Sequence, residues 1–156
     1  MKLNKNDIEI FHRNNMEDIK NCFNKSNINR TDKDGRSLLI YSIIFKKLNV
    51  FEFCKDKGAD VNLQDKSGWS ALHFACQDNN YDFVVALIQY GANPNLQDIY
   101  GNTPLWKAVY SSQGKGEVIK ILLSKNADKN LPNNYGISPI DLANTIANYD
   151  IKQFFD

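Results

Sequence analysis

Residues 65–97 read DKSGWSALHFACQDNNYDFVVALIQYGANPNLQ, and the segments on either side are variations on this text. Residues 32–64 (DKDGRSLLIYSIIFKKLNVFEFCKDKGADVNLQ) precede it, and residues 98–132 (DIYGNTPLWKAVYSSQGKGEVIKILLSKNADKNLP) follow. Gly35, Gly68 and Gly101 lie 33 residues apart and Gly136 comes after 35, so the third copy holds two extra residues near Gln113-Gly114-Lys115-Gly116. A shortened copy, NNYGISPIDLANTIANYDIKQFF, runs over residues 133–155. The first 31 residues form a degenerate opening copy, whose exit Asn27-Ile28-Asn29 echoes Ala59-Asp60-Val61-Asn62. A fixed period of this length marks stacked supersecondary units, each unable to bury its apolar face alone. It predicts one domain over 1–156, divided at about 3–31, 32–64, 65–97, 98–132 and 133–156, with the two end units serving as caps.

Each copy follows one physical grammar. Asp or Asn, two variable residues and Gly make a tight turn, in which Gly supplies a positive φ. Ser37, Ser70, Thr103 and Ser138 then stand where a helix N-cap is needed, with Pro104 and Pro139 at the first helical position. A short apolar face follows (Leu72, Phe74 and Ala75 in the central copy), then a polar break at Gln77-Asp78-Asn79-Asn80. A second helix opens at Asp82 or Glu117. It closes at Gly58, Gly91 or Asn126, residues suited to a left-handed C-cap.

These features together resemble the ankyrin-repeat family. Asp-x-x-Gly-x-Ser/Thr-x-Leu-His, Leu-Leu/Ile and Gly-Ala-Asn/Asp-x-Asn form its signature, best kept as Ser70-Ala71-Leu72-His73 and Gly91-Ala92-Asn93. The likeness covers about residues 3 to 156 and implies an all-α solenoid of helix-turn-helix units with short hairpin loops. It also implies that His73 hydrogen-bonds to neighbouring turns. The chain departs from the pattern at Leu38 (usually Pro), at Ile40 and Trp106 (usually His), and at the bulky Tyr41, Ile43 and Phe45. These departures predict a less regular stack around the second and fourth units, through internal packing or a widened apolar surface. Ile151, Phe154 and Phe155 are expected to seal the last helix pair, with exposure of Phe155 as the alternative.

Composition narrows the function. The chain has 156 residues, 42% hydrophobic and 24% charged, the balance of a folded protein rather than a disordered one. Lys+Arg 19 against Asp+Glu 18 leaves +1, spread over both halves, which argues against nucleic acid or an anionic membrane as partner. Lys46-Lys47 and the nearby Lys55 and Lys57 are diluted by Glu52 and Asp56. The N-terminal text carries no signal-peptide pattern, and no segment approaches a membrane-spanning length. Cys22, Cys54 and Cys76 form no C-x-x-C pair and lie among apolar residues, so neither a disulfide framework nor a zinc site is expected; buried thiols in a reducing cytosol are.

No catalytic motif appears. His12 and His73 are the only histidines, and Gly114-Lys115-Gly116 lacks the strand and the Lys-Ser/Thr ending of a phosphate loop. The expectation is a non-enzyme with no cofactor and no metal. Asn is over-used, with 21 residues; Asn62, Asn95 and Asn130 share a repeat position, and others fall in loops that reward a short backbone-bonding side chain.

Protein binding fits this architecture. In the resembled family, partners meet the hairpin tips and the outer end of each first helix, on the concave side. Carried onto this sequence, the tips supply Lys33, Asp34 and Arg36, then Lys66 and Trp69, then Ile99, Tyr100 and Asn102, and finally Tyr135. The helix ends supply Phe45, Gln77, Asp78 and Tyr110. A repeat core does not ask for Trp69, Tyr100, Tyr110 or Tyr135, so four aromatics along one edge suggest binding anchors. The expected protein is a cytoplasmic monomer when free, blocking one partner protein by occlusion. The resemblance also admits a bacterial immunity protein that neutralises a cognate toxin, or a pathogen or viral effector that engages a host protein.

Overall fold

The turn that opens each unit is built by its Asp or Asn. The Oδ1 of Asp32, Asp65, Asp98 and Asn133 accepts the backbone N–H groups two and four residues ahead. These belong to Asp34 and Arg36, Ser67 and Trp69, Tyr100 and Asn102, and Tyr135 and Ile137, at 2.8–3.1 Å. One short acceptor thereby organises a whole loop. The computed structural model describes residues 3, 9–11, 13, 15–146 and 149–155.

Each hairpin feeds a capped helix. Ser37, Thr103 and Ser138 accept the N–H of Ile40, Trp106 and Asp141. At Ser70 the reciprocal bond runs back, its N–H donating to His73 Nδ1 at 3.1 Å. Among the described residues the regular helices are α1 (Met16–Cys22), α2 (Leu38–Ile44), α3 (Leu48–Asp56), α4 (Ala71–Gln77), α5 (Tyr81–Gln89), α6 (Pro104–Ser111), α7 (Glu117–Ser124) and α8 (Pro139–Thr145). A 3-10 turn at Lys152–Phe154 follows. Strand-like pairing among these residues is confined to isolated bridges, Thr31 with Ser37 and Gln64 with Ser70. The fold is all-α, as the resemblance implied. The second helix of the central copy opens at Tyr81, one residue before the expected Asp82. Gly58, Gly91 and Asn126 end α3, α5 and α7 at φ of 73°, 96° and 63°, and the next N–H in each case reaches back to Cys54, Leu87 or Leu122.

Two helical layers result. α2, α4, α6 and α8 pack in series, while α3, α5 and α7 each lie against the preceding first helix. Leu39, Val50, Leu72, Leu87, Leu105 and Ile119 belong to one apolar core running through the stack. The bulky second unit does not interrupt it. Leu38, Ile40 and Ile43 are buried, and α2 packs on α4, so the expected irregularity there resolves as internal packing. Tyr41 turns its hydroxyl to Asp32 Oδ2 at 2.5 Å, and Phe45 packs on Phe11 with ring centroids 5.5 Å apart.

The last unit differs from the expected helix pair. The described residues after α8 hold only the 3-10 turn, which lies against the outer layer. Ile151 and Phe155 are buried, which removes the exposed alternative for Phe155. The two-residue insertion has a structural purpose here. A Cβ on Gly114 would stand 2.9 Å from the Tyr149 ring, and one on Gly116 would stand 2.5 Å from the Phe154 ring. The inserted loop is a bare platform for the C-terminal segment. Lys120 lies over Phe154, and Lys129 Nζ donates to the Phe155 carbonyl at 3.0 Å.

Adjacent units are joined by repeated polar bonds. Lys66, Ile99 and Asn134 N–H donate to the carbonyls of Asp34, Ser67 and Tyr100 on the preceding hairpins, at 2.9, 3.1 and 2.9 Å. On the opposite loops, Asp60, Asn93 and Asp128 N–H donate to Asn29, Asn62 and Asn95 Oδ1, each at 2.8 Å. This absorbs much of the Asn excess. Asn15, Asn24, Asn27, Asn29, Asn49, Asn62, Asn80, Asn93, Asn95 and Asn133 all accept a backbone N–H.

The hairpin ladder yields a paired prediction. Gly68 and Gly136 share a φ of 75°, but a Cβ on Gly68 would meet Ile99 N at 2.7 Å, whereas one on Gly136 meets nothing within 4 Å. Gly136→Ala should therefore cost only the left-handed strain, about 1 kcal/mol. Gly68→Ala should cost about 1–3 kcal/mol more, because the backbone of the next hairpin must move. Urea midpoints of the two variants measure the difference, and equal losses would refute the close-approach account.

Candidate partner-binding edge

The second oxygen of each turn carboxylate finds a different partner, and these choices decide which tip residues remain free. The residue nine positions on supplies Tyr41 to Asp32 and Lys107 to Asp98. Lys107 Nζ lies 2.9 Å from Asp98 Oδ2, with both side chains buried. The corresponding position after Asp65 is Phe74, which offers no polar group. Asp65 Oδ2 instead receives Arg36 Nε from the preceding hairpin at 3.4 Å, with the guanidinium over the Phe74 ring. Sequence reading missed Lys107 and Tyr41 as partners, although the nine-residue offset from the turn acid was a visible signal.

Burial alone would raise the Asp32 and Asp98 carboxyls. The Tyr41 hydroxyl and nearby backbone N–H groups outweigh it at Asp32, and Lys107 with the Asn102 N–H does so at Asp98, so both lie below the usual carboxylate range. Burial and the neighbouring Asp32 push Tyr41 up to about 12.

His73 is wholly buried and makes the bonds that the family resemblance implied. Its Nδ1 accepts Ser70 N–H, and its Nε2 lies 3.1 Å from the Asn102 carbonyl. A carbonyl can only accept, so the proton sits on Nε2 and the ring is neutral. Burial pulls its pKa down to about 4, against a partial rise from Asn102. The ring links two units, and both of its nitrogens are engaged. His12 lies outside the described residues.

The sequence-derived tip residues fall into two groups. Trp69 and Arg36 are half-buried within the protein. Trp69 packs 4.9 Å from Phe74, and Lys107 Nζ stands 4.4 Å over its ring. Asn102 leaves the free edge altogether. It is 7% exposed, and its amide oxygen accepts Asn133 Nδ2 at 2.8 Å. Others face solvent: Ile99 (56% exposed), Tyr100 (50%) and Tyr135 (71%) on the hairpins, and Tyr110 (63%) at the end of α6, stacked on Trp106. Lys33, Asp34 and Lys66 are exposed as well, as is Phe45 beside Phe11. Ile137, on the last hairpin, adds further exposed apolar surface.

At the helix ends, Gln77, Asp78, Tyr110 and Ser111 line an open polar cleft of about 430 Å³, walled by Gln113 and Lys115 of the inserted loop. Lys46 pairs with Asp78 across its edge at 2.7 Å. Among the described residues, no cluster of His, Cys, Asp or Glu is arranged to hold a metal ion, and no helix is long and apolar enough to cross a membrane. Cys54 and Cys76 are buried, and burial pushes the Cys54 thiol up to about 12 and Cys76 upward as well.

Two consequences for stability follow. The His73 pKa is lower in the folded chain than its ordinary 6.5, so the unfolded chain binds the proton first. Stability present above about pH 6.5 should be lost as pH falls toward 4, by about 3 kcal/mol, and urea titrations across that window should show a flatter profile for His73→Gln. The depressed Asp32 and Asp98 carboxyls act below this range, where stability present above about pH 4 is lost on further acidification. Separately, Lys107→Met leaves Asp98 buried without its cation and should cost about 3 kcal/mol in chemical unfolding; a loss under about 1 kcal/mol would mean the pair holds nothing.

The sequence matches the profile of ankyrin repeats (3 copies) over residues 8–98 and 49–133. It is 33% identical over 130 residues to the ankyrin repeat protein FPV031 of fowlpox virus, covering 80% of this chain and 38% of that protein. It is 36% identical over 95 residues to the ankyrin repeat protein L92 of Acanthamoeba polyphaga mimivirus, covering 60% and 22%. The E3 ubiquitin-protein ligase hecd-1 of Caenorhabditis elegans shares 39% identity over 101 residues, 64% of this chain and 4% of that protein. The chain thus spans well under half the length of these relatives, and the likeness to the ligase runs over a small part of it. Repeats of this kind generally act as protein–protein interaction modules rather than as enzymes. From the turn acids, the capped helix pairs and the matched profile, this chain belongs to the ankyrin-repeat family.

Proposed function

We propose that the protein binds one partner protein along the concave edge formed by its hairpin tips and first-helix ends, and acts by covering the bound surface. The observation carrying this reading is the set of large apolar side chains at repeat positions that the core leaves free: Ile99, Tyr100, Tyr110 and Tyr135. Their exposure costs solvation, offset at Tyr110 by its stacking on Trp106, whereas aromatic rings at an interface supply anchor area at small entropic cost. Lys33, Asp34, Lys66, Gln77 and Asp78 form the polar rim, with Phe45 at the far end. Trp69 and Arg36 support the edge from behind. In this reading the chain works as one domain over 1–156, monomeric when free, in a cytosol that keeps its buried thiols reduced.

A second reading is favoured by the relatives in fowlpox virus and mimivirus. The same edge would then belong to a viral effector whose partner is a host protein. The chemistry of the edge is the same in both cases.

Capture of the partner from the native organism, followed by affinity measurement, tests the edge. Tyr100→Ala and Tyr135→Ala should each weaken the complex by about 1–2 kcal/mol with unchanged unfolding midpoints. Leu48→Ala, at an exposed position on the outer-layer helix α3, should leave affinity untouched. The reverse pattern would place the interface on the other layer.

A further inference from the structure

The hairpin edge changes character along the stack. The tips of the first two hairpins carry Lys33 and Lys66 at equivalent positions, both exposed and neither ion-paired among the described residues. Arg36 on the same edge is paired with the buried Asp65, and the Asp32 carboxylate is buried against the Tyr41 hydroxyl, so the exposed charges of this half are Lys33 and Lys66 against Asp34. The next two hairpins have no charged tip residue. Ile99 and Tyr100 stand on the third, and Tyr135 and Ile137 on the fourth, all exposed. Asp98, the one acid at the base of these turns, is buried and neutralised by Lys107.

A Cβ on Gly35, Gly68 or Gly101 would lie 2.7–2.9 Å from the backbone nitrogen of the following hairpin, while Gly136 faces nothing within 4 Å. Among the described residues, nothing seats against the corresponding flank of the fourth hairpin, beside Tyr135 and Ile137.

Resting on the binding edge proposed above, we infer that the partner presents a linear segment of opposed character: carboxylates at one end against Lys33 and Lys66, and apolar side chains at the other against Ile99, Tyr100, Tyr135 and Ile137. The acidic end provides steering and orientation; the apolar end provides most of the holding energy. With neighbouring units about 8–10 Å apart, four hairpins span about 30 Å, the reach of about nine extended residues. A single loop or tail of the partner suffices. An acidic segment lacking the apolar end finds only two exposed lysines, and an apolar one lacking the acids has nothing to fix its direction.

The probe is a phage-displayed library of random linear peptides about 15 residues long, ample for that reach, selected on the full chain and then synthesised. The expected binders carry Asp or Glu toward one end and aromatic or aliphatic residues toward the other. Their affinity should fall about tenfold or more with Lys33→Glu/Lys66→Glu, and likewise with Tyr100→Ala. Raising salt should weaken binding to the unsubstituted chain and strengthen the residual binding to the charge-reversed variant, where it screens repulsion. All substituted side chains are exposed, and thermal unfolding checks that each variant stays folded. Binders sensitive to Tyr100→Ala but indifferent to charge reversal and salt would overturn the polarity while leaving the edge in place. Binders indifferent to both sets of substitutions would overturn the edge as well. Failure to select any binder would overturn the linear segment, leaving capture of a folded partner as the independent test of the edge.

Discussion

The contact on which the stack depends is the approach of one hairpin backbone to the next over a residue without a Cβ. At Gly35, Gly68 and Gly101, the space a methyl group would fill is taken by the N–H or α-carbon of the following turn. That approach lets Lys66, Ile99 and Asn134 donate to the preceding hairpin. One such bond contributes about 1 kcal/mol net, but its greater effect is to set the spacing and angle at which successive first helices meet. The turn acids hold each hairpin in the shape that makes this docking possible. His73 and the Asn29, Asn62 and Asn95 amides repeat the linkage elsewhere on the units.

Polar groups in this protein mostly serve the stacking. Asp98, Lys107, Asn102, Asn133 and His73 are buried and mutually satisfied, and Trp69 is drawn into the same assembly through Phe74 and Lys107. Among the groups left outside are the apolar side chains Ile99, Tyr100, Tyr135 and Ile137 and the charges of Lys33, Asp34 and Lys66 on the hairpin edge. The fold supplies rigidity there at little entropic cost, because the hairpins carrying Tyr100 and Tyr135 are held by bonds to their own turn residue and to the neighbouring hairpin. A preformed edge of this kind suits recognition by surface complementarity.

The C-terminal region shows how a local irregularity can be structural in origin. Residues Gln113 to Gly116 look like a loosened connection in the sequence. In three dimensions their glycines are the floor on which Tyr149 and Phe154 lie, and the described residues of that segment form a short 3-10 turn. The glycine content of that loop reflects close ring contact rather than phosphate binding.

Read alone, the sequence determined the repeat, the capped helix pairs, the left-handed closures and the continuous core. All of these follow from local stereochemistry and apolar spacing, which recur at a readable period. It also marked Trp69, Tyr100, Tyr110 and Tyr135 as aromatics that the core does not require, although Trp69 packs on Phe74. It could not separate Tyr100 from Asn102 or Trp69, because tips at equivalent positions look equally free until cross-unit partners are known. Asn102 is claimed by Asn133, 31 residues away, and Arg36 by Asp65, 29 residues away, because Phe74 leaves that carboxylate without a partner in its own unit. Burial of the bulky second unit and of Phe155 likewise depended on what stands opposite each side chain. Such pairings are decided only when the units stack, since satisfying a buried polar group or filling a gap involves residues that the sequence keeps far apart.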